Sequence, residues 1–147
     1  MIVLDTNVLS ELMRPQPDPQ VMAWANGLEP QAIAITAMNE AEIIHGLARL
    51  PAGRRQQALR KSWEELMAAL FDGQALPFSS EAAHWYGELV SRRERMARPI
   101  STADAVIAAT ALAHGAQLAT RNTSDFAAIG LELVNPWTGL QPSPHHP

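Results

Sequence analysis

Short apolar runs that end in polar residues, each followed or preceded by a helical pattern, constrain the fold of this chain most strongly. The first run is Ile2-Val3-Leu4, and Asp5-Thr6-Asn7 follows it. Residues 32–35, 116–120 and 131–134 form three further runs of this kind. Short buried strands alternating with helices predict a parallel sheet that is covered on both faces. The sequence therefore predicts an α/β sandwich.

Helix-start residues and apolar spacing place the helices between these strands. Thr6 or Asn7 is the predicted N-cap of the first helix, and Thr36 is the predicted cap of a helix that runs to about Leu50. Pro51 suits the first turn of the next helix, since proline is favoured there. Further helices are expected over residues 20–28, from Ser79 or Ser80 to residue 96, and from about Ser101 to residue 114, with an extended stretch over residues 75–78.

Length and composition limit the class of protein. The chain has 147 residues, which suits one domain, and 47% of them are hydrophobic. No apolar run approaches the ~20 residues that cross a bilayer. The N-terminal residues 1–5 do not show the basic segment and long apolar stretch that begin a secretory signal. Cysteine is absent, which excludes disulfides and thiolate chemistry. We expect a cytoplasmic protein without a membrane partner, folded over residues 1–138, with a disordered tail over residues 139–147.

The charge balance leaves two interpretations of the basic residues open. The formal net charge of −4 is not typical of a passive nucleic-acid binder, because phosphate contacts usually require a basic excess. The arginines nevertheless cluster over residues 49–60 and 92–98. Solvated helix faces explain these clusters, and an arginine rim for phosphates is the functional alternative.

Acidic residues fall where the strands of the predicted sheet end. Asp5 ends the first strand, and Glu42 lies in the helix after the second. Asp104 lies near the start of the helix that precedes the third strand, and Asn122 and Asp125 follow that strand. Sites in open α/β sheets form outside the carboxyl ends of the strands. We therefore expect these side chains to meet at one edge of the sheet.

Each acidic residue also has a purely structural interpretation. Asp5 and Asp125 are suited to capping a helix or turn, and Ser101 with Asp104 fits a capping box. Glu42 alone is typical of a solvated helix face. Clustered carboxylates, however, repel one another and need a cation to stay ionised. All-oxygen ligands favour Mg²⁺, with Mn²⁺ as a substitute, and such an ion supports phosphodiester hydrolysis by water.

Four segments in this order resemble the PIN-domain nucleases, and specifically the VapC toxins of bacterial VapB–VapC toxin–antitoxin pairs, including the FitB-like branch. They are residues 2–8 (IVLDTNV), 41–46 (AEIIHG), 103–111 (ADAVIAATA) and 118–126 (LATRNTSDF). The closing Asn135-Pro136-Trp137 also resembles this branch. The resemblance spans residues 1 to about 137 and implies a PIN-like three-layer sandwich with a central parallel sheet.

The resemblance also implies roles for particular residues. Asp5, Glu42 and Asp104 are implied to be the catalytic metal-site carboxylates, with Asp5 and Asp104 as the most direct ligands. Thr6 and Thr120 are implied to support the site by hydrogen bonding.

One position departs from the family pattern. Many relatives carry an acidic residue where this chain has Asn122, whose amide oxygen can support the metal site but adds no negative charge. We predict that Asp125, three residues further on, supplies that charge in the metal site.

The implied biology is equally specific. Members of this family cut RNA and are silenced by a small VapB-like antitoxin, through which they bind their operator DNA. They commonly form homodimers. Two other functions stay open from the residues alone: a catalytically silent PIN-fold binding module, and a metal-dependent nuclease that acts on DNA. A phosphatase with an Asp nucleophile is disfavoured, because no second Asp follows Asp5 by two residues.

Overall fold

The computed structural model describes residues 1–139. Its strands are β1 (Ile2–Leu4), β2 (Ile33–Ala34), β3 (Gln117–Ala119) and β4 (Leu133–Val134). Its helices are α1 (Thr6–Leu12), α2 (Pro19–Asn26), α3 (Ala37–Ala48), α4 (Arg54–Phe71), α5 (Ser80–Arg95) and α6 (Thr102–Ala113). Short 3-10 turns span Pro30–Ala32 and Thr123–Phe126. The predicted tail lies outside the described residues except for Gly139.

The strands form one parallel sheet in the order β2-β1-β3-β4. In the central pair, Val3 lies opposite Leu118, and on the flanks Val3 pairs with Ala34 and Leu118 with Leu133. Beyond β2, Leu76 forms a parallel bridge with Thr36, so the expected extended stretch extends the sheet by one bridge. Because all strands run in the same direction, their carboxyl ends lie at one edge.

Alternating side chains give the sheet two apolar faces, each covered by helices. On one face, Val3, Leu118 and Leu133 pack in a core with residues of α5 and α6. On the other face, Leu4 and Ala119 pack in a second core with residues of α1, α3 and α4. The predicted three-layer sandwich with helices on both faces is confirmed.

Helix α6 differs from the other helices because it is rich in alanine and buried along most of its length. Its buried residues are Ala105, Ile107, Ala108, Ala109, Thr110 and Ala111. A helix that is apolar on most sides belongs inside a domain, where it packs between other layers. This burial fixes the first turn of α6, which carries Asp104. No helix within residues 1–139 is both long and apolar enough to cross a membrane.

Two helix starts differ from those predicted. The N-cap of α1 is Asp5, not Thr6 or Asn7, because β1 ends at Leu4 and the Asp5 carboxylate already accepts a hydrogen bond from the Thr6 N–H at 2.8 Å. Helix α4 begins at Arg54 rather than at Pro51, since residues 51–53 are needed to reverse the chain direction after α3. The other predicted caps, Thr36, Ser79 and Ser101, are confirmed.

Candidate active site at the carboxyl edge of the sheet

Asp5 is the most firmly held carboxylate at this edge. Its side chain ends β1, is 6% exposed, and caps α1. One carboxylate oxygen, Oδ1, accepts from the Thr6 N–H at 2.8 Å and from Asn39 Nδ2 at 3.4 Å. The other, Oδ2, accepts from the Thr120 hydroxyl at 2.7 Å and from Asn7 Nδ2 at 3.5 Å. The capping interpretation and the site interpretation of Asp5 are therefore compatible.

Asn39 connects Asp5 to helix α3. Its carbonyl oxygen accepts from the Thr36 backbone N–H at 3.0 Å and from the Thr36 hydroxyl at 2.7 Å. Its own backbone N–H donates to the Thr36 hydroxyl oxygen at 3.1 Å, which together with the bond from the Thr36 N–H forms a capping box. Its amide group donates to Asp5 Oδ1 at 3.4 Å and to the Thr6 hydroxyl oxygen at 3.1 Å. Asn39 is fully buried. One side chain thus fixes the start of α3 and the position of two site residues.

Glu42 approaches Asp5 from the second turn of α3. The Thr6 hydroxyl donates a hydrogen bond of 2.6 Å to Glu42 Oε1. Thr6 follows Asp5 directly, so this bond links the α1 N-terminus to α3. The hydroxyls of Thr6 and Thr120 each donate to a carboxylate, and the supporting roles expected for both residues stay predictions.

Asp104 reaches the same edge from the first turn of α6. The Ser101 hydroxyl accepts from the Asp104 backbone N–H at 3.2 Å and caps the helix. Among the described hydrogen bonds, the reciprocal bond from the Asp104 side chain to the Ser101 backbone, which a capping box requires, is not found. The predicted capping box of Ser101 and Asp104 is therefore only half formed.

Asn122 precedes a single 3-10 turn after β3, and Asp125 lies within that turn. The Asn122 backbone N–H donates to the Thr120 hydroxyl oxygen at 3.1 Å, and the Asp125 N–H donates to the Asn122 carbonyl at 3.0 Å. Residues three apart eclipse one another in a 3-10 turn. Both side chains are exposed. Asp125 lies inside the turn rather than before it, so the alternative prediction that it caps a turn around Ala127 is wrong.

The buried side chain of Arg93 donates hydrogen bonds to the backbone of this turn. Arg93 is 5% exposed, and its Nη1 donates to the Asp125 carbonyl at 2.9 Å and to the Ala127 carbonyl at 3.2 Å. Its Nε donates to the Arg98 carbonyl at 2.7 Å. A buried guanidinium needs such partners, because its desolvation is otherwise costly. Arg93 was predicted only as part of a solvated or phosphate-binding cluster, and its burial corrects that expectation.

The electrostatics show that these carboxylates act on one another. Burial raises the pKa of Asp5, and the Glu42 carboxylate raises it further, against hydrogen bonds from Thr120, Thr6 and Asn39 that lower it. Burial also raises the pKa of Asp104, as do the charges of Asp5 and Asp125. The Ser101 hydroxyl and the Arg93 charge lower the pKa of Asp104. The four predicted carboxylates are therefore linked electrostatically at one edge of the sheet.

The arrangement is open rather than closed. Within residues 1–139, no three histidine or acidic side chains converge closely enough to enclose a metal ion by themselves. Mg²⁺ in proteins keeps several waters and commonly binds through only one or two carboxylates. An electrostatically linked, all-oxygen donor set with open positions fits a hydrated hard cation of this kind.

A groove leads away from the carboxylates over the face that carries α1, α3 and α4. A cavity of about 260 Å³ borders Thr6 and Glu42 and is walled by Met13, Ile43, Leu47, Leu50 and Leu59. A second cavity of about 700 Å³, between α1 and α4, shares Met13, Arg14, Arg55 and Leu59 with the first. Because they share these four residues, the two cavities form one mainly apolar groove, which borders the acidic site at Glu42.

The fold and the order of these site residues can be compared with known proteins. A protein-family profile described as "PIN domain" matches residues 2–131, which include all four carboxylates. The chain belongs to the PIN-domain family. This PIN domain is 42% identical over 137 residues to a VapC ribonuclease, Y4jK, of Sinorhizobium fredii, covering 93% of this chain and 98% of that relative. It is 39% identical over 137 residues to the toxin FitB of Neisseria gonorrhoeae, covering 93% of this chain and 99% of that relative.

Solved structures confirm the predicted fold of this PIN domain. The crystal structure of FitAcB from Neisseria gonorrhoeae matches with a TM-score of 0.86 at 39% identity, covering 93% of this chain and 99% of that chain. A VapBC2 structure from Rickettsia felis, bound to a DNA fragment from its promoter, matches with a TM-score of 0.75 at 27% identity, covering 92% of this chain and 98% of that chain. The predicted membership of the VapC and FitB group is confirmed.

Three residues of this edge received no site role from the sequence: Asn39, Asn7 and Arg93. The Thr36-x-x-Asn39 spacing resembles a capping box and was a usable signal for Asn39. Asn7 follows Asp5 by two residues, which is the spacing of a local side-chain bond. No sequence feature predicts the burial of Arg93, because that burial depends on packing between α5 and a turn 32 residues away.

Proposed function

We propose that this protein is a metal-dependent endoribonuclease and the toxin of a toxin–antitoxin pair, which acts in the cytoplasm and hydrolyses RNA phosphodiester bonds with water. One observation carries the proposal. Asp5, whose carboxylate has four hydrogen-bond donors, lies within electrostatic range of Glu42 and Asp104 at the edge of the sheet where α/β ligand sites form. Two relatives, a VapC ribonuclease and the toxin FitB, support the same activity.

The residues of this edge suit Mg²⁺, for which Mn²⁺ can substitute. Asp5 and Asp104 would hold the ion directly, and Glu42 and Asp125 would act through bound water or at a second, weaker position. When bound, such an ion coordinates a phosphate oxygen and lowers the pKa of the attacking water. The carboxylates also need a cation, because they raise one another's pKa in its absence.

The chain's own side chains orient the site. The Thr120 hydroxyl and the Thr6 N–H each hold one oxygen of Asp5, so the carboxylate plane is fixed before substrate arrives. The Thr6 hydroxyl does the same for one oxygen of Glu42, which leaves the other oxygen available to accept a proton from water. Rigid placement of this kind reduces the reorganisation that the reaction requires.

The apolar groove suits an inhibitory partner. Two of the solved relatives, FitAcB and VapBC2, are toxin–antitoxin complexes, and VapBC2 is bound to promoter DNA. We propose that a VapB-like antitoxin lays an apolar segment in the groove and directs a basic side chain, most favourably arginine, at the carboxylates. Binding to operator DNA then occurs through the antitoxin.

A homodimer is the proposed state of the protein itself. Of the four tryptophans, Trp63 is buried, whereas Trp85 is 40% exposed. Phe78, which is also exposed, precedes α5 and packs edge-on against Tyr86 in the second turn of that helix. Sedimentation of Trp85→Ser against wild type tests whether this aromatic surface of α5 is the interface. A monomeric variant is expected, and an unchanged oligomer contradicts this interface.

Cleavage of total RNA by the purified protein tests the proposed activity. We expect cleavage with Mg²⁺, and its loss in Asp104→Asn, which keeps the side-chain shape and removes the charge. Asp72→Asn is the matched control, because Asp72 lies outside the site in a left-handed conformation that asparagine tolerates. A DNA strand of the same sequence distinguishes ribonuclease from deoxyribonuclease activity, and preferential DNA cleavage contradicts the proposal.

Expression without the partner tests the toxin role. We expect growth arrest by the wild-type protein, relief by Asp104→Asn and no relief by Asp72→Asn. If Asp104→Asn arrests growth as strongly as wild type, the protein acts by binding rather than by cleavage.

A further inference from the structure

Arg121 is next in sequence to a residue of the proposed active site and has no role in the proposed reaction. It directly follows Thr120, whose hydroxyl donates to Asp5 Oδ2 at 2.7 Å. Arg121 is exposed, and among residues 1–139 the one ion pair found is that of Arg14 with Glu11. Its guanidinium therefore has no carboxylate partner within residues 1–139, although its backbone directly follows a residue that bonds to Asp5.

The guanidinium is nevertheless held in place. Arg121 Cζ lies 5.0 Å from the centroid of the Trp137 ring, a cation–π arrangement. Trp137 is half-buried and packs against the core on the α1, α3 and α4 face. Trp137 is thus a fixed platform for Arg121, and this contact makes it less available as the base-stacking surface that its aromatic character alone suggests.

The backbone of Arg121 is held as well. Its N–H donates to Asn7 Oδ1 at 3.3 Å, and its carbonyl accepts from Asn135 Nδ2 at 3.5 Å. Asn7 also donates to Asp5 Oδ2, and Asn135 also accepts from the Trp137 N–H at 2.9 Å. The carboxylate, the arginine and its aromatic platform therefore belong to one connected set of hydrogen bonds.

We propose that Arg121, supported by Trp137, is a phosphate-binding residue for the RNA strand next to the cleaved bond. This inference rests on the proposed ribonuclease function. A polyanionic strand approaching Asp5, Glu42, Asp104 and Asp125 is repelled unless cations line its path. A guanidinium is always charged and presents planar donors that match phosphate oxygens, and a fixed platform reduces the entropy lost on binding.

RNA affinity at several salt concentrations tests this proposal. A fluorescent single-stranded RNA is titrated into the non-cleaving Asp104→Asn protein, with and without Arg121→Ala. We expect the affinity to fall by about tenfold and the salt slope to decrease by about 0.7, the value for one phosphate contact on a single strand. Arg121→Lys keeps the charge but not the planar stack, so it should lose less affinity and keep the slope.

Arg60→Ala in the same background is the matched control, because Arg60 is an exposed arginine of α4 that does not line the groove. In the cleaving protein, Arg121→Ala should raise KM more than it lowers kcat, with an unchanged melting temperature. Equal RNA affinity and salt slope for Arg121→Ala and Arg60→Ala would overturn the phosphate role while leaving RNA cleavage intact. If the wild-type protein neither binds nor cleaves RNA, the proposed function fails, and this inference fails with it.

Discussion

The two ends of the acidic site are held in different ways. At the Asp5 end, a buried carboxylate receives hydrogen bonds from four donors that belong to α1, α3 and the end of β3. At the Asp125 end, an exposed carboxylate lies on a single 3-10 turn, which Arg93 holds through backbone carbonyls alone. The first end is fixed by its side-chain contacts, and the second only by its backbone.

This difference has a functional consequence. A pre-positioned carboxylate such as Asp5 suits a direct metal ligand, because its geometry does not depend on the ion. An exposed carboxylate such as Asp125 suits a supporting role through water, in which affinity varies without loss of the reaction. Substitutions at the two ends should therefore differ in whether added metal restores activity.

The largest effect is expected at Asp5. Asp5→Asn removes the charge at the fixed end, and cleavage of RNA should fall by about 100-fold or more, comparable with loss of a key electrostatic group in other enzymes. Added Mg²⁺ should not restore it. Glu11→Gln is the matched control, because Glu11 is also a buried carboxylate, 6% exposed, but it pairs with Arg14 away from the site. A similar loss in Glu11→Gln would show that burial, not the site, explains the effect.

A smaller and reversible effect is expected at the open end. Asp125→Asn should raise the Mg²⁺ concentration needed for half-maximal cleavage by about 10–100-fold, the range for supporting groups around a metal. Saturating Mg²⁺ should restore most of the rate. Asn122→Asp adds the missing charge on the same turn and should lower the Mg²⁺ requirement. Superimposable Mg²⁺ titrations for wild type and both variants would contradict the supporting role of Asp125.

The contacts that make the first end rigid can be weakened separately. Asn39→Ala removes the amide donors to Asp5 and Thr6 and the carbonyl acceptor of the α3 capping box. We expect a loss of about 1–2 kcal/mol in the free energy of unfolding and a decrease of about tenfold in cleavage rate. Asn26→Ala, at the exposed end of α2, is the control for stability and rate. A stability loss with a normal rate would limit Asn39 to a structural role.

The smallest effect concerns stability without metal. A raised folded-state pKa means that the stabilising contribution of Asp104 is present at low pH and is lost as the pH rises through that pKa. At neutral pH the ionised carboxylate therefore destabilises the metal-free protein. Asp104→Asn should raise the melting temperature by a few degrees at neutral pH, and this gain should shrink as the medium is acidified. A lower melting temperature at neutral pH would contradict the repulsion among these carboxylates.

Much of the fold could be predicted from local signals. The apolar runs located all four strands, and the Thr36, Ser79 and Ser101 caps are where the sequence placed them. The start of α4 could not be predicted, because Gly53 and the reversal after α3 outweigh the preference of Pro51 for a first turn. The rule that sites form at the carboxyl edge predicted that the elements carrying Asp5, Glu42 and Asp104 meet there, and in the structure the Glu42 and Asp104 carboxylates lie within electrostatic range of Asp5.

The inner contacts of the site were less accessible to sequence reasoning. Asn39 bonds to Asp5 across 34 positions, and Thr120 does so across 115, so no local pattern contains either pair. Arg93 was indistinguishable from its exposed neighbours Arg92 and Arg95, because burial of a charge depends on which carbonyls surround it in the folded chain. Strand ends predict where a site forms, whereas packing decides which polar groups orient it.

The central claim is that RNA cleavage depends on a metal ion held by Asp5. One side-by-side assay tests this claim most directly. Wild type, Asp5→Asn and Glu11→Gln are incubated with the same RNA in Mg²⁺ and in EDTA, and the product ends are identified. We predict cleavage by wild type and Glu11→Gln in Mg²⁺ only, with 5′-phosphate ends, and none by Asp5→Asn under either condition. Cleavage by Asp5→Asn at the wild-type rate, or wild-type cleavage that persists in EDTA, would contradict the account.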